Sequence, residues 1–109
     1  MANRRRGEVP LVIGPDRYTL CLTLGALAEL EEALGARDLA GLAERFADGR
    51  LASRDLIALL GAALRGGGHI LDDAAVARLP LGGGIAPIAL ALGEVLAAAF
   101  GGDDPPDPR

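Results

Sequence analysis

The chain has 109 residues and a formal net charge of −4; half of it is apolar, the aromatics are only Tyr18, Phe46 and Phe100, and arginine stands wherever lysine could. That length makes one domain and not two of ordinary size, with a core that must be aliphatic and rich in small residues. An acidic balance opposes nonspecific attraction to phosphate backbones; only Arg4, Arg5 and Arg6 run against it, and three arginines at a terminus read as a solvated arm, so no nucleic-acid partner is expected.

The arm, residues 1–7, precedes EVPLVIGPDRYTLCLTL, which alternates on both sides of a Gly14-Pro15-Asp16 turn. Val9, Leu11 and Ile13 share one face with Tyr18, Leu20 and Leu22, the pattern of a β-hairpin. Pro10 has no N–H to give a ladder, so its strand is an edge or carries Pro10 on its open side. The five apolar residues before Gly14 fall short of the roughly seven to fifteen of a secretion signal, and a cytoplasmic location is expected. Cys21 points away from the leucines. As the sole cysteine it excludes an intrachain disulfide and a multi-cysteine metal site, and with no base near it in sequence it reads as structural rather than nucleophilic.

Thr23 caps a helix over LGALAELEEAL, with Leu24, Leu27, Leu30 and Leu34 on one face and Gly35 as its left-handed stop. Glu29 and Glu32 lie outside and Glu31 nearer the stripe, which describes a solvated face and not a metal site. Asp38 caps the next helix, LAGLAERFADG, where Leu39, Leu42, Ala43 and Phe46 face inward and Gly49 ends it. Ser53 caps a third. Its Leu56, Ile57, Leu60 and Leu64 make a broad apolar side and Ala58, Gly61 and Ala62 a smooth one, as expected of a central helix covered on both faces.

The third helix halts at RGGGH, Gly66 being placed to close it and Arg65 to sit near its negative end. A phosphate-binding glycine loop follows a strand and presents the next helix's N-terminus to the anion. This one follows a helix, and Asp72 and Asp73 open the next, so a phosphate would meet like charge. His69 lacks the second histidine that a metal site would use, and a local hydrogen bond in its loop is the plainer account. Neither a nucleophile with its base nor a cofactor fingerprint is present, so no enzyme, no cofactor and no metal are expected.

The fourth helix, AAVARL, stops at Pro80, and LGGG links it to a last helix, IALALGEVLAAAF. Pro87 suits the first turn, and Ile88, Leu92, Val95, Leu96, Ala99 and Phe100 form one stripe. Leu90 falls outside it. No uncharged run reaches the roughly 20 apolar residues of a membrane span. Residues 102–109, GGDDPPDPR less its first glycine, have the composition of a disordered acidic tail. The fold expected is therefore α+β, an N-terminal β-hairpin packed against a bundle of four to five short helices, in one domain over 8–101.

Residues 22–68, LTLGALAELEEALGARDLAGLAERFADGRLASRDLIALLGAALRGGG, together with the GEVPLVIGPDRYTL strands before them, resemble the small tail-assembly proteins of bacterial gene transfer agents, which are phage-like particles, and of related siphophages. The likeness extends to about Val76 and lies in the order and spacing of its segments. It implies a non-enzymatic tail assembly chaperone whose partners are the tape-measure protein and the tail tube protein. The alternatives are a retained tail tube or tail-completion component, and a small hydrolase centred on His69. Surplus aliphatic surface makes Leu56, Leu60, Leu64, Leu90 and Leu92 the candidate partner-binding residues, some of which the core must also claim, and leaves a homo-oligomer open.

Overall fold

The structure, a computed structural model, describes residue 3 and residues 6–34, 39–50, 52–80 and 84–100. Alternation over the first segment gives β1 (Val9–Ile13) and β2 (Asp16–Leu20), an antiparallel pair closed by Gly14 and Pro15, with Gly14 at a φ of 61°. Val9 pairs with Leu20 and Leu11 with Tyr18, so the apolar residues of both strands share one face. Pro10 faces Thr19 across the ladder and is exposed, at a position whose missing N–H would have pointed away from β2.

Five helices follow: α1 (Leu24–Leu34), α2 (Leu39–Ala47), α3 (Ser53–Gly66), α4 (Asp73–Ala77) and α5 (Ala86–Phe100). The α+β architecture is thus the one read from the sequence. The helix α3 is the axis, packed against α1, α4, α5 and β2, while α5 also covers the hairpin and touches α2. Six consecutive residues of α3, Leu59 to Leu64, are buried, so the helix is covered all round there, and the small Gly61, Ala62 and Ala63 let its neighbours approach. Leucine supplies most of the large fully buried side chains, Leu20, Leu30, Leu42, Leu59, Leu64 and Leu92, joined by Val95.

Thr23 caps α1 as expected, its Oγ1 accepting from the Ala26 N–H at 3.1 Å. Leu24 does not join the stripe and is 86% exposed. At about 100° per residue the buried line runs through Ala26 and Leu30, with Leu27 and Leu34 beside it, and leaves the first helical residue turned away. Gly49 ends α2 at a φ of 70°, with Arg50 N–H donating to the Arg45 carbonyl and Gly49 N–H to that of Phe46, a Schellman closure. Ser53 is not the cap of α3: Ala52 holds that position with no side-chain bond, and Ser53 is the first helical residue. Asp72 caps α4, accepting from Ala75 N–H at 2.8 Å.

The arm before Arg6 apart from Asn3, the Gly35 stop, the Asp38 cap, most of the LGGG linker and the tail lie outside the described residues, as do the side chains of Leu39, Ala43 and Phe100.

Candidate interaction surface

The RGGGH corner joins α3 to the outer edge of β2. On a strand paired by its even residues, the amides of Thr19 and Cys21 point away from the partner strand. The first donates to His69 Nε2 at 2.9 Å, the second to the Ala63 carbonyl of α3 at 2.9 Å. This approach is close enough that a Cβ on Gly66 would fall on the Cys21 carbonyl oxygen, and one on Gly67 on the Thr19 carbonyl oxygen. The left-handed residue is Gly68, with a φ of 100°, and not Gly66, which is helical. Gly68 N–H donates to the Arg65 carbonyl and His69 N–H to that of Leu64, the same closure as in α2.

Backbone thus fills the space that the glycines leave. The His69 hydrogen bond is not local but reaches across fifty positions of sequence, and the ring meets Tyr18 edge-on at 5.3 Å. Nε2 accepts, so the ring proton sits on Nδ1, and the lone pair that a general base would use is engaged. Cys21 is half-buried, with its thiol 3.7 Å from the Arg6 carbonyl. Burial pushes the thiol pKa up, Glu8 adds to the effect and Arg6 opposes it, the reverse of an activated nucleophile.

Arg65 holds the other side of the corner. Its guanidinium donates to Glu29 of α1 at 2.9 Å, to Asp73 of α4 at 3.1 Å and to the Leu71 carbonyl at 2.7 Å. Burial alone would lower its pKa; the hydrogen bonds to Glu29 and Asp73 outweigh that and hold it above its ordinary value. Both ends of the loop between α3 and α4 are therefore fastened, and between them Ile70 stands 97% exposed.

Apolar surface gathers elsewhere, in a groove of about 250 Å³ where the N-terminal half of α3 meets α4 and the start of α5. Leu56, Ile57, Leu60, Leu79, Ile85 and Ile88 line it. Of the five leucines proposed from sequence, the fold brings Leu56 and Leu60 together here. Leu64 and Leu92 are fully buried and belong to the core, while Leu90 is 68% exposed on α5 and does not line the groove. Ile57 belongs to the broad apolar side of α3 read from the sequence but was not among the partner candidates, and Leu79 and Ile85 were not singled out; the signal available for these two was that aliphatic residues lie beside Pro80 and Pro87.

A wider cleft of about 580 Å³ lies on the opposite side of α3, with Arg45, Arg54, Asp55 and Asp73 in its lining. Among the described residues no helix is long and apolar enough to cross a membrane, and no three His, Cys, Asp or Glu side chains gather as a metal site would require. The surface that this chain offers is aliphatic, recessed in one place and protruding in others, and it suits association with other proteins.

No curated protein and no solved structure gives a significant match to the chain. A family model described as phage tail tube protein, GTA-gp10, matches residues 6–102, nearly the whole of the sequence. The chain belongs to that family of phage tail proteins.

Proposed function

We propose that the protein is a non-enzymatic tail assembly chaperone of a phage-like gene transfer particle, which binds the tape-measure protein, the tail tube protein or both while the tail is built and then leaves. Family membership supports a tail role, and the aliphatic groove beside Leu56 and Leu60 is the observation that carries the chaperone reading. Such a groove accepts the apolar stripe of an amphipathic helix, and long helices awaiting assembly expose such stripes. Among the described residues its lining contains no aromatic side chain, and interfaces without aromatic anchors favour contacts weak enough to be released. Leu56, Leu60 and exposed Leu90 make the contacts in this proposal, with Leu64 and Leu92 supporting them from the core. The acting unit is the domain over 8–101, flanked by the arm and the tail, in the cytoplasm where particles assemble.

The second reading, a retained tube component, draws on the description of the family as a tail tube protein. Two measurements separate them. The mass of complexes that co-elute when the protein is mixed with the tape-measure and tube proteins tests binding, and quantitation of the chain in purified particles tests retention. Binding without retention supports the chaperone; stoichiometric presence in finished particles overturns it in favour of the tube component.

A further inference from the structure

The outer margin of β2 gives two amides to the end of α3 and the loop after it, and the two acceptors differ in kind. Cys21 N–H meets the Ala63 carbonyl, which keeps its lone pairs at every pH that a folded protein meets. Thr19 N–H meets Nε2 of His69, and a ring nitrogen accepts only while it carries no proton. His69 is the sole histidine of the chain, and imidazole is the one side chain whose ordinary charge change falls between about pH 5 and 8. Two bonds of the same 2.9 Å length, side by side on one margin, are thus set to answer a proton differently.

The surroundings of the ring give an imidazolium no replacement for that bond. Tyr18 of β2 meets the ring edge-on at 5.3 Å, and the Cys21 thiol turns to the Arg6 carbonyl. From α3, Arg65 brings a like charge, with its guanidinium bonded to Glu29, Asp73 and the Leu71 carbonyl. From α4, Asp73 is held by that arginine and Asp72 caps its own helix. Among the described residues no carboxylate stands within ion-pair distance of His69.

We propose that His69 is a proton-operated clasp: a proton taken up from water at Nε2 turns the acceptor into a donor, frees the Thr19 amide and loosens the loop between α3 and α4 from β2. The bond belongs to the neutral ring, so the clasp is closed above the imidazole range and opens as pH falls through it. Opening is local. The bonds from Cys21 to Ala63 and from Arg65 to the Leu71 carbonyl involve no group that titrates there, so they keep the rest of the corner shut. An open clasp returns an unpaired donor to the margin of the ribbon and releases one anchor of the loop on which Ile70 stands exposed. This goes beyond the tail role proposed above and does not depend on it, since it concerns the chain alone.

The test is amide hydrogen exchange of the purified full chain by NMR, with rates corrected for the intrinsic pH dependence of exchange. Protection at Thr19 is read against protection at Cys21 in the same molecule, so global unfolding cancels. As pH is lowered from about 7.5 to about 5, the ratio of Thr19 to Cys21 protection is expected to fall about three- to tenfold, the loss of one hydrogen bond. His69→Gln puts an acceptor oxygen that does not titrate near the place of Nε2, and should hold the ratio constant; His69→Leu has no acceptor and should keep it low throughout. The side chain is half-buried, so both variants are expected to fold, which matched far-UV circular dichroism checks. Long-range proton–nitrogen correlation spectra of the imidazole in neutral solution place the ring proton, expected on Nδ1. A proton found on Nε2 there overturns the proposal. So does a wild-type ratio that does not move with pH, a ratio that moves equally in His69→Gln, or a His69→Leu protein as protected at Thr19 as wild type.

Discussion

Gly66 and Gly67 end α3 with only hydrogens facing the Cys21 and Thr19 carbonyls, so a methyl group at either position forces backbone apart. Gly66→Ala and Gly67→Ala are each expected to lower stability by about 1–3 kcal/mol, read as a fall in the urea midpoint at constant slope. Gly61 makes the contrast. A Cβ there meets the ends of the Asp73 and Arg65 side chains, which can swing aside, while the helix gains about 1 kcal/mol of propensity. Gly61→Ala should therefore leave the midpoint near that of wild type, since the exposed ion pair it disturbs is worth at most about 1 kcal/mol. At Cys21 the raised pKa means less thiolate at a given pH, so alkylation of the native protein should have its pH midpoint above that of the urea-unfolded chain and run slower at neutral pH. The glycine run showed in the sequence that a helix ends there. Which glycine takes the positive φ was not legible, because Gly66 and Gly67 are required by a strand more than forty positions away.

Arg65 joins three helices through one guanidinium, and removing it leaves the Leu71 carbonyl and two carboxylates without their donor. Its side chain is 28% exposed, so water screens only part of the attraction. Arg65→Met is expected to cost about 1–2 kcal/mol, and a double-mutant cycle with Glu29→Gln to assign no more than about 1 kcal/mol to that pair. A pKa raised in the folded state contributes stability at every pH below the ordinary arginine value and loses it only in strong alkali, so this contribution should be flat across the neutral range. At this scale the helices were legible by period and their ends less so. Leu24 stands three residues before Leu27 yet lies off the buried line through Ala26 and Leu30 and faces solvent; Ser53 has the chemistry of a cap but lies one residue too late. The groove was illegible for a stronger reason, because Leu56, Val76 and Ile88 belong to three elements whose meeting is a matter of tertiary packing.

Across the whole molecule, the aliphatic core makes single leucines count. Leu64→Ala and Leu92→Ala should each cost about 2–5 kcal/mol, a large share of the roughly 5–15 kcal/mol that holds a domain together, and many such variants will unfold near physiological temperature. Leu90→Ala touches only solvent-facing surface, so its melting temperature should stay close to wild type while its capture of a tail partner falls. A Leu90→Ala protein that binds the tape-measure and tube proteins undiminished would remove that residue from the proposed surface. The two measurements sort the five leucines chosen from sequence: a loss of stability marks a residue of the core, and a loss of capture at unchanged stability marks a contact.

The two-stranded ribbon has one margin engaged, Thr19 and Cys21 giving their outward amides to His69 and to the Ala63 carbonyl, and on the other margin Pro10 has no amide to offer. Amides 19 and 21 should accordingly resist hydrogen exchange in a strand that, drawn as a diagram, has nothing beside it. A ribbon with so few unclaimed donors is a poor template for a further strand, whether from a misfolded neighbour or from a partner in the tail. Crowding at an assembly site then carries little hazard of cross-β growth from this protein, and recruitment falls to its helices and loops.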